Sequence, residues 1–308
     1  MKVSIIGVGN VGSATCYLLS LRNICSQIVL IDKKYEISSG KATDIMQSAA
    51  SLNMATQIKS TGDYSQIKNS DVVVITAGSP RKPGMSREDL LQINIDIMKD
   101  VTKNIKEYAP NSKIVVVSNP LDILTYVALK VSGFDKSKVI GMGGILDSAR
   151  MSNYIVEKLQ YGYGQVNSMV IGAHGEKMLP LTRFSSVAGI GINTILNEKE
   201  CEEICYNTKN GGALIVEKLG TSAYYAPASS ICVLIEAILK DTKTLHSCSV
   251  LLEGEYGIND VCVGVPIVIG KNGIKRIVEL PLNEKEQLAL EDSAKSLKEM
   301  VEIAKTMY

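Results

Sequence analysis

The sequence predicts an α/β protein: a doubly wound parallel sheet in the first half, followed by a second half of mixed α+β character. Three observations carry that reading. Continuous apolar runs such as Gln27-Ile28-Val29-Leu30-Ile31, Val72-Val73-Val74-Ile75 and Ile114-Val115-Val116-Val117 alternate with amphipathic helical patterns, as expected of strands covered on both faces by crossover helices. The rhythm changes near residue 143, after which long helical patterns precede strands joined by a hairpin signal. The 308 residues also exceed what one compact core usually holds, so domains are expected at 1–143 and 144–308.

The elements follow in order. Residues 2–7 form a strand and 11–22 a helix; residues 27–32 form a strand ending on Asp32, and a helix covers about 38–51. Short strands are expected near 56–60 and at 71–76, then a long helix over about 87–108, stopped by Pro110. A strand at 113–118, a helix from Asp122 and a strand at 139–141 close the first half. The second half offers a helix over 147–159, a strand at 168–172, helices near 198–218 and 225–240, and strand-like segments near 245–252 and 262–269. Asn272-Gly273 lies between apolar runs at 266–270 and 274–280, the chemistry of a tight antiparallel turn. A charged amphipathic helix spans about 283–306.

Composition excludes several classes of function. Thirty-three basic and 32 acidic residues give a formal charge of +1, with no basic block or acidic tail. Neither nucleic acid nor a membrane surface is therefore expected as a partner. No apolar run has the length of a membrane span or a secretory core, so a cytoplasmic protein is expected. Seven cysteines in no regular framework suit reduced, packed thiols. Cys201 and Cys205 lie one helical turn apart, but neither of the two histidines is near them in sequence, so no metal is expected.

Gly7-Val8-Gly9-Asn10-Val11-Gly12 follows the first strand and opens the first helix. In that context it is a Rossmann dinucleotide fingerprint. The first glycine permits the turn, the second admits a pyrophosphate close to the backbone, and the third lets helix and strand pack closely. The helix start offers free N–H groups and a partial positive charge to phosphates. Asp32, 20 residues after Gly12, can accept hydrogen bonds from the adenosine ribose and would repel a 2′-phosphate, which favours NAD over NADP; Lys33 and Lys34 weaken that discrimination slightly. The strand ends Thr76-Ala77-Gly78 and Val117-Ser118-Asn119 flank the expected cofactor position, and Asn94 is grouped with them.

Four further segments form a constellation: Pro80-Arg81-Lys82-Pro83-Gly84-Met85-Ser86-Arg87, Asn119-Pro120, Leu146-Asp147-Ser148-Ala149-Arg150 and Gly172-Ala173-His174-Gly175-Glu176. In order, spacing and residue type, and over essentially the whole chain, they resemble the lactate/malate dehydrogenase family, and within it the malate-type members of lactate-dehydrogenase-like build. The resemblance implies oxidation of (S)-malate to oxaloacetate by hydride transfer to NAD. It implies that His174 is the proton acceptor and donor, since a neutral imidazole titrates near working pH; Gly172 and Gly175 would leave room for substrate. Asp147 would orient His174 and stabilise its imidazolium, while also suiting a helix N-terminus as an acid. Arg150, three residues on and on the same helical face, would grip the substrate's C1 carboxylate bidentately.

The same resemblance assigns Arg87 to polarising the reacting carbonyl, from the end of a lid containing Pro80, Pro83 and Gly84. Asn119 would hydrogen-bond substrate beside the nicotinamide, with a cis bond to Pro120. Arg81 would select the dicarboxylate: closing a lid over the second carboxylate without a counter-ion is costly, and the arginine removes that cost. Thr221 and Ser222 are both candidates for a hydroxyl near the nicotinamide, and His246 has no assigned role. A homodimer or homotetramer is expected. The alternatives are a lactate or broad 2-keto acid dehydrogenase, an NAD-dependent glycosidase, which would need a metal cluster this sequence does not offer, and a non-catalytic NAD-binding module, which has no use for Asp147, Arg150 and His174 together.

Overall fold

The computed structural model describes residues 1–80 and 86–308. The first half runs β1 (Lys2–Ile6), α1 (Asn10–Leu21), β2 (Gln27–Ile31), α2 (Tyr35–Leu52), β3 (Gln57–Thr61), β4 (Val72–Ile75), α3 (Arg87–Tyr108), β5 (Lys113–Val116), α4 (Leu121–Ser132) and β6 (Val139–Gly141). The second half continues with α5 (Gly143–Leu159), β7 (Val166–Asn167), β8 (Val170–Gly172), β9 (Met178–Pro180), β10 (Ser186–Val187), β11 (Ile190–Gly191) and α6 (Ile192–Ile195). It ends with α7 (Glu198–Leu219), α8 (Tyr225–Leu239), β12 (Thr244–Glu253), β13 (Asn259–Gly270), β14 (Gly273–Ile277) and α9 (Glu284–Lys305).

The first six strands are parallel in the order β3-β2-β1-β4-β5-β6. The order reverses between β1 and β4, which opens a crevice at their C-terminal ends. Val3, Ile5, Ile28, Leu30, Val74 and Ile114 are fully buried, as continuous apolar strands covered on both faces must be. The sheet does not stop at the expected domain boundary. Ser249 of β12 pairs with Gly141 of β6 in antiparallel sense, and β13, β8, β9 and β14 extend the same sheet. The hairpin expected at Asn272-Gly273 is present, with Gly270 opposite Gly273.

Where helices carry their own caps, their starts match the sequence. The Ser86 hydroxyl accepts from Asp89 N–H at 3.0 Å and the Asp89 carboxylate accepts from Ser86 N–H at 3.0 Å, a reciprocal box that starts α3 at Arg87. Asn197 with Glu200 and Asn283 with Glu286 start α7 and α9 in the same way. Two helices start earlier than expected: α2 at Tyr35 rather than 38, and α5 at Gly143 rather than 147. Neither has a side-chain cap, and Gly143-Gly144 carries the composition of a loop. The two- and three-residue strands β7, β9, β10 and β11 and the single turn α6 were not expected, being too short to show periodicity. Among the described residues, no helix is long and apolar enough to cross a membrane.

Candidate active site

The glycine turn opens a cavity of about 600 Å³ at the crevice, lined by Gly7, Val8, Gly9, Asp32, Thr76 and Gly78 among others. Gly7 has φ +96°, and a Cβ there would sit 2.5 Å from Ala77 N; no other residue type fits. A Cβ on Gly12 would overlap the Gly7 carbonyl oxygen, whereas one on Gly9 would meet nothing within 4 Å. Gly12 thus serves helix packing and Gly9 leaves the backbone open to a ligand, the division of labour a pyrophosphate requires. The residues present therefore fit a dinucleotide.

Asp32 holds this turn from β2. Its Oδ2 accepts Val8 N–H at 2.6 Å and its Oδ1 accepts Lys34 N–H at 2.8 Å. Each oxygen keeps a lone pair for ribose hydroxyls. The Thr76 hydroxyl donates to Gly7 O at 2.6 Å and the Ser118 hydroxyl to Ala77 O at 2.6 Å, so both side chains brace neighbouring strand ends. Asn10, Val11, Gly12, Val117, Ser118 and Asn119 do not line the cavity, and neither does Asn94. The Asn94 amide is spent elsewhere: it accepts from Ser79 N–H at 2.7 Å and donates to Asn119 O at 3.0 Å. It is a buried tie between the two strand-end loops rather than part of the cavity wall.

Sequence reasoning missed Lys41. From α2 its ammonium donates to Val8 O at 2.8 Å, inside the cavity beside Asp32. Burial lowers its pKa, and the Asp32 charge opposes that. Nothing in the fingerprint signals it, because the position lies on α2 and meets the turn after β1 only in the folded chain.

The second cluster is built on α5 and the β8–β9 turn. His174 Nδ1 lies 2.8 Å from Asp147 Oδ2, and Arg150 Nη1 donates to Asp147 Oδ1 at 3.1 Å. Asp147 therefore joins both cationic groups while its own side chain is 3% exposed; His174 and Arg150 are 14% and 15% exposed. Burial is the largest single influence and pulls the imidazole pKa down, but the charge and hydrogen bond of Asp147, with the charge of Asp122, together outweigh it, and the net direction is upward. Asp147 sits a full turn inside α5, which removes its alternative reading as a first-turn acid.

Around Gly175 there is open space, as a Cβ there would meet nothing within 4 Å. Gly172 (φ +84°) and Gly175 (φ +149°) supply turn backbone that other residues rarely adopt. The close approach is made by Gly143, where a Cβ would sit 3.0 Å from the His174 ring and Cβ, and by Gly212 of α7, where it would sit 3.3 Å from Arg150 Nη2. Neither position had a signal in the sequence, since both are inter-element contacts.

The Asn119-Pro120 peptide is cis, as expected, and immediately precedes α4. Asp122, in the first turn of α4, reaches across to accept His174 N–H at 2.8 Å. The Asn119 loop and the His174 turn are thereby joined. Arg81 and the lid segment 81–85 lie outside the described residues; Arg87 opens α3. Thr221 and Ser222 are exposed in the connection before α8. His246 lies on β12, where its Nε2 is 3.0 Å from the Thr244 hydroxyl and burial lowers its pKa. Among the described residues, no group of three or more His, Cys, Asp and Glu side chains is arranged to hold a metal ion.

Comparison with known proteins follows the same division. Residues 1–141 match the family model for the lactate/malate dehydrogenase NAD binding domain, and residues 145–307 that for the lactate/malate dehydrogenase alpha/beta C-terminal domain. The chain is 50% identical over 302 residues to a malate dehydrogenase of Sulfurimonas denitrificans, covering 98% of this chain and 95% of that one. Its structure is similar to that of the malate dehydrogenase from Aeropyrum pernix, with TM-score 0.93, 42% identity and coverage of 98% and 97%. It is also similar to a lactate dehydrogenase from Eimeria maxima with NADH and oxamate, with TM-score 0.95, 36% identity and coverage of 99% and 94%.

Proposed function

Because this chain belongs to the lactate/malate dehydrogenase family, we propose that it interconverts (S)-malate and oxaloacetate by NAD-dependent hydride transfer, with the His174–Asp147 pair moving the proton. The observation that carries this is the Asp147 carboxylate, bound at once to His174 Nδ1 and to Arg150. With Nδ1 bound to Asp147, Nε2 faces the substrate as the proton acceptor. The Arg150 guanidinium, on the same helix face, takes the C1 carboxylate. Asp147 keeps the imidazole in one tautomer and stabilises the imidazolium formed on oxidation. Bound NAD supplies the hydride acceptor, and the crevice between β1 and β4 would hold it, with Asp32 at the adenosine ribose and the α1 N-terminus at the pyrophosphate.

We assign cofactor binding to residues up to about 143 and substrate chemistry to those after it, with Asn119 and Arg87 reaching from the first part. Arg81 is the proposed counter-ion for the second carboxylate, and Arg87 for the reacting carbonyl. A cytoplasmic homodimer or homotetramer is the proposed form; α7 and α8 expose Tyr206, Leu214, Val216, Leu219 and Tyr225, which such an assembly would cover.

The similarity to lactate dehydrogenases of nearly equal TM-score favours a second reading, a broader 2-keto acid activity. The two are separated by measuring reduced-nicotinamide oxidation with oxaloacetate and pyruvate in parallel. Oxaloacetate should be strongly preferred, and Arg81→Gln should move the ratio of kcat/KM values towards pyruvate by on the order of 10²-fold. An unmoved ratio removes Arg81 as the selector. His174→Asn should retain NAD binding and lose turnover by at least about 10²-fold; near-normal turnover in that variant removes His174 from the mechanism.

A further inference from the structure

A second carboxylate, on α4, is bonded to the main chain of His174. Asp122 is the second residue of α4 and is 3% exposed. Its Oδ2 accepts the His174 main-chain N–H at 2.8 Å. Its Oδ1 is buried and has no hydrogen-bond partner among the described residues. A buried carboxylate is expensive to keep ionised, and one N–H donor could be satisfied by a neutral acceptor. A carboxylate in that place offers His174 a charge that a neutral acceptor would not.

What it faces is limited. Asp147 and Arg150 approach His174 from α5, and Asp122 approaches from α4. Asp122 itself faces His174, Asp147, the buried Cys262 thiol of β13 and the buried Ser249 hydroxyl of β12, the last also without a partner among the described residues. The one group in this set that gains positive charge during turnover is the His174 imidazole. Asp122 also lies three residues after Asn119, so the element that begins at the cis Asn119-Pro120 peptide directly anchors the main chain of the proton acceptor.

We propose that Asp122 is a positioning residue of the proton-transfer site: from α4 it fixes the main chain of His174 and, as a buried anion close to it, favours the imidazolium that oxaloacetate reduction needs. This rests on the assignment of His174 as the proton donor. Burial pushes the Asp122 carboxyl above its ordinary range, and the nearby Ser249 hydroxyl and the charge and main-chain N–H of His174 only partly hold it down. The two groups therefore titrate together, and deprotonation of His174 is opposed by two carboxylates rather than one.

The test uses two substitutions in the full chain. Asp122→Asn keeps a carbonyl acceptor for the His174 N–H and removes the charge. Its profile of kcat/KM for oxaloacetate should shift to lower pH. At a pH where the parent is half-active the variant should be at least about threefold slower, with the KM for NADH changed less than about twofold. Asp122→Ser, too short to reach the N–H, should lower kcat by on the order of 10-fold or more at every pH, because the ring loses its anchor. If Asp122→Ser does not fold, the pH profile of Asp122→Asn and the NMR titration of the His174 ring in that variant decide alone. An Asp122→Asn profile superimposed on that of the parent overturns the electrostatic role, and so does an unshifted His174 titration. A folded Asp122→Ser enzyme with unchanged kcat overturns the anchoring role. Failure of the underlying reading looks different: His174→Asn would then retain turnover, whatever Asp122 does.

Discussion

His174 is buried beside a carboxylate, and the two influences on its titration are opposed. Because the charge and hydrogen bond of Asp147, with the charge of Asp122, together outweigh burial, the folded pKa lies above the ordinary 6.5. The direction of the pH dependence follows. Malate oxidation needs the neutral ring, so its kcat/KM should rise with pH through a midpoint above 6.5. Oxaloacetate reduction needs the imidazolium and should fall through the same window. The pair's contribution to stability has the same sense: it is complete below the unfolded pKa and lost as pH rises through the folded one. In Asp147→Asn both midpoints should move down and turnover should drop by about 10²-fold or more. Stopped-flow profiles in the two directions check this, and midpoints below 6.5 in the parent would refute it. At this scale much was legible. His174, Asp147 and Arg150 could be named by resemblance to the family's motifs, and Asp32 and the Gly7 turn by the dinucleotide fingerprint. Asp122, Lys41, Gly143 and Gly212 could not, because each acts on a residue far along the chain.

At the scale of elements, α1 and β1 meet where a Gly12 side chain would strike the Gly7 carbonyl. The overlap involves backbone on both sides, so no rotamer change relieves it. Gly12→Ala should therefore displace the start of α1. We expect a loss of about 1–3 kcal/mol in unfolding free energy and a weakening of NAD binding by on the order of 10-fold or more. Denaturant titration and fluorescence titration with NADH measure the two; unchanged NADH affinity would show that the helix start is not what holds the pyrophosphate. Elements with local signals were predicted closely: α3, α7 and α9 carry side-chain caps, and the β13–β14 hairpin carries Asn272-Gly273. The start of α5 was not, because Gly143 and Gly144 are there for contacts with His174 and Ser247 rather than for a turn.

Over the whole molecule, one sheet runs through both halves. β6 hands over to β12 at Gly141 and Ser249, α8 of the second half packs on α1 of the first, and the Cys232 thiol lies 3.9 Å from Thr15 O. Cofactor binding at one end should consequently stabilise the entire chain. NAD at about 100 times its Kd adds about 2.7 kcal/mol, on the order of 5 °C in Tm for a chain of this size. It should do so in a single calorimetric transition. NADP at the same concentration should add far less, because Asp32 faces its 2′-phosphate. Two separated transitions, with only the lower one moved by NAD, would show that the halves unfold independently.

By itself the sequence determined the parallel first half, the dinucleotide turn, the hairpin and the capped helices, and its family motifs pointed to Asp147, Arg150 and His174 as the proposed catalytic cluster. The elements and turns depend on interactions within a few residues or on the periodicity of buried faces, which are written along the chain; the cluster was legible only through its motifs, since Asp147 and His174 are 27 residues apart. Only the tertiary structure decided that one sheet joins the halves, that Asn94 ties two loops instead of lining the cavity, and that Asp122 and Lys41 reach into the sites. Those are pairings between distant segments, such as 52 residues from Asp122 to His174 and 33 from Val8 to Lys41. A hydrogen bond or steric contact at that separation leaves no local pattern, because its geometry exists only once the elements have packed.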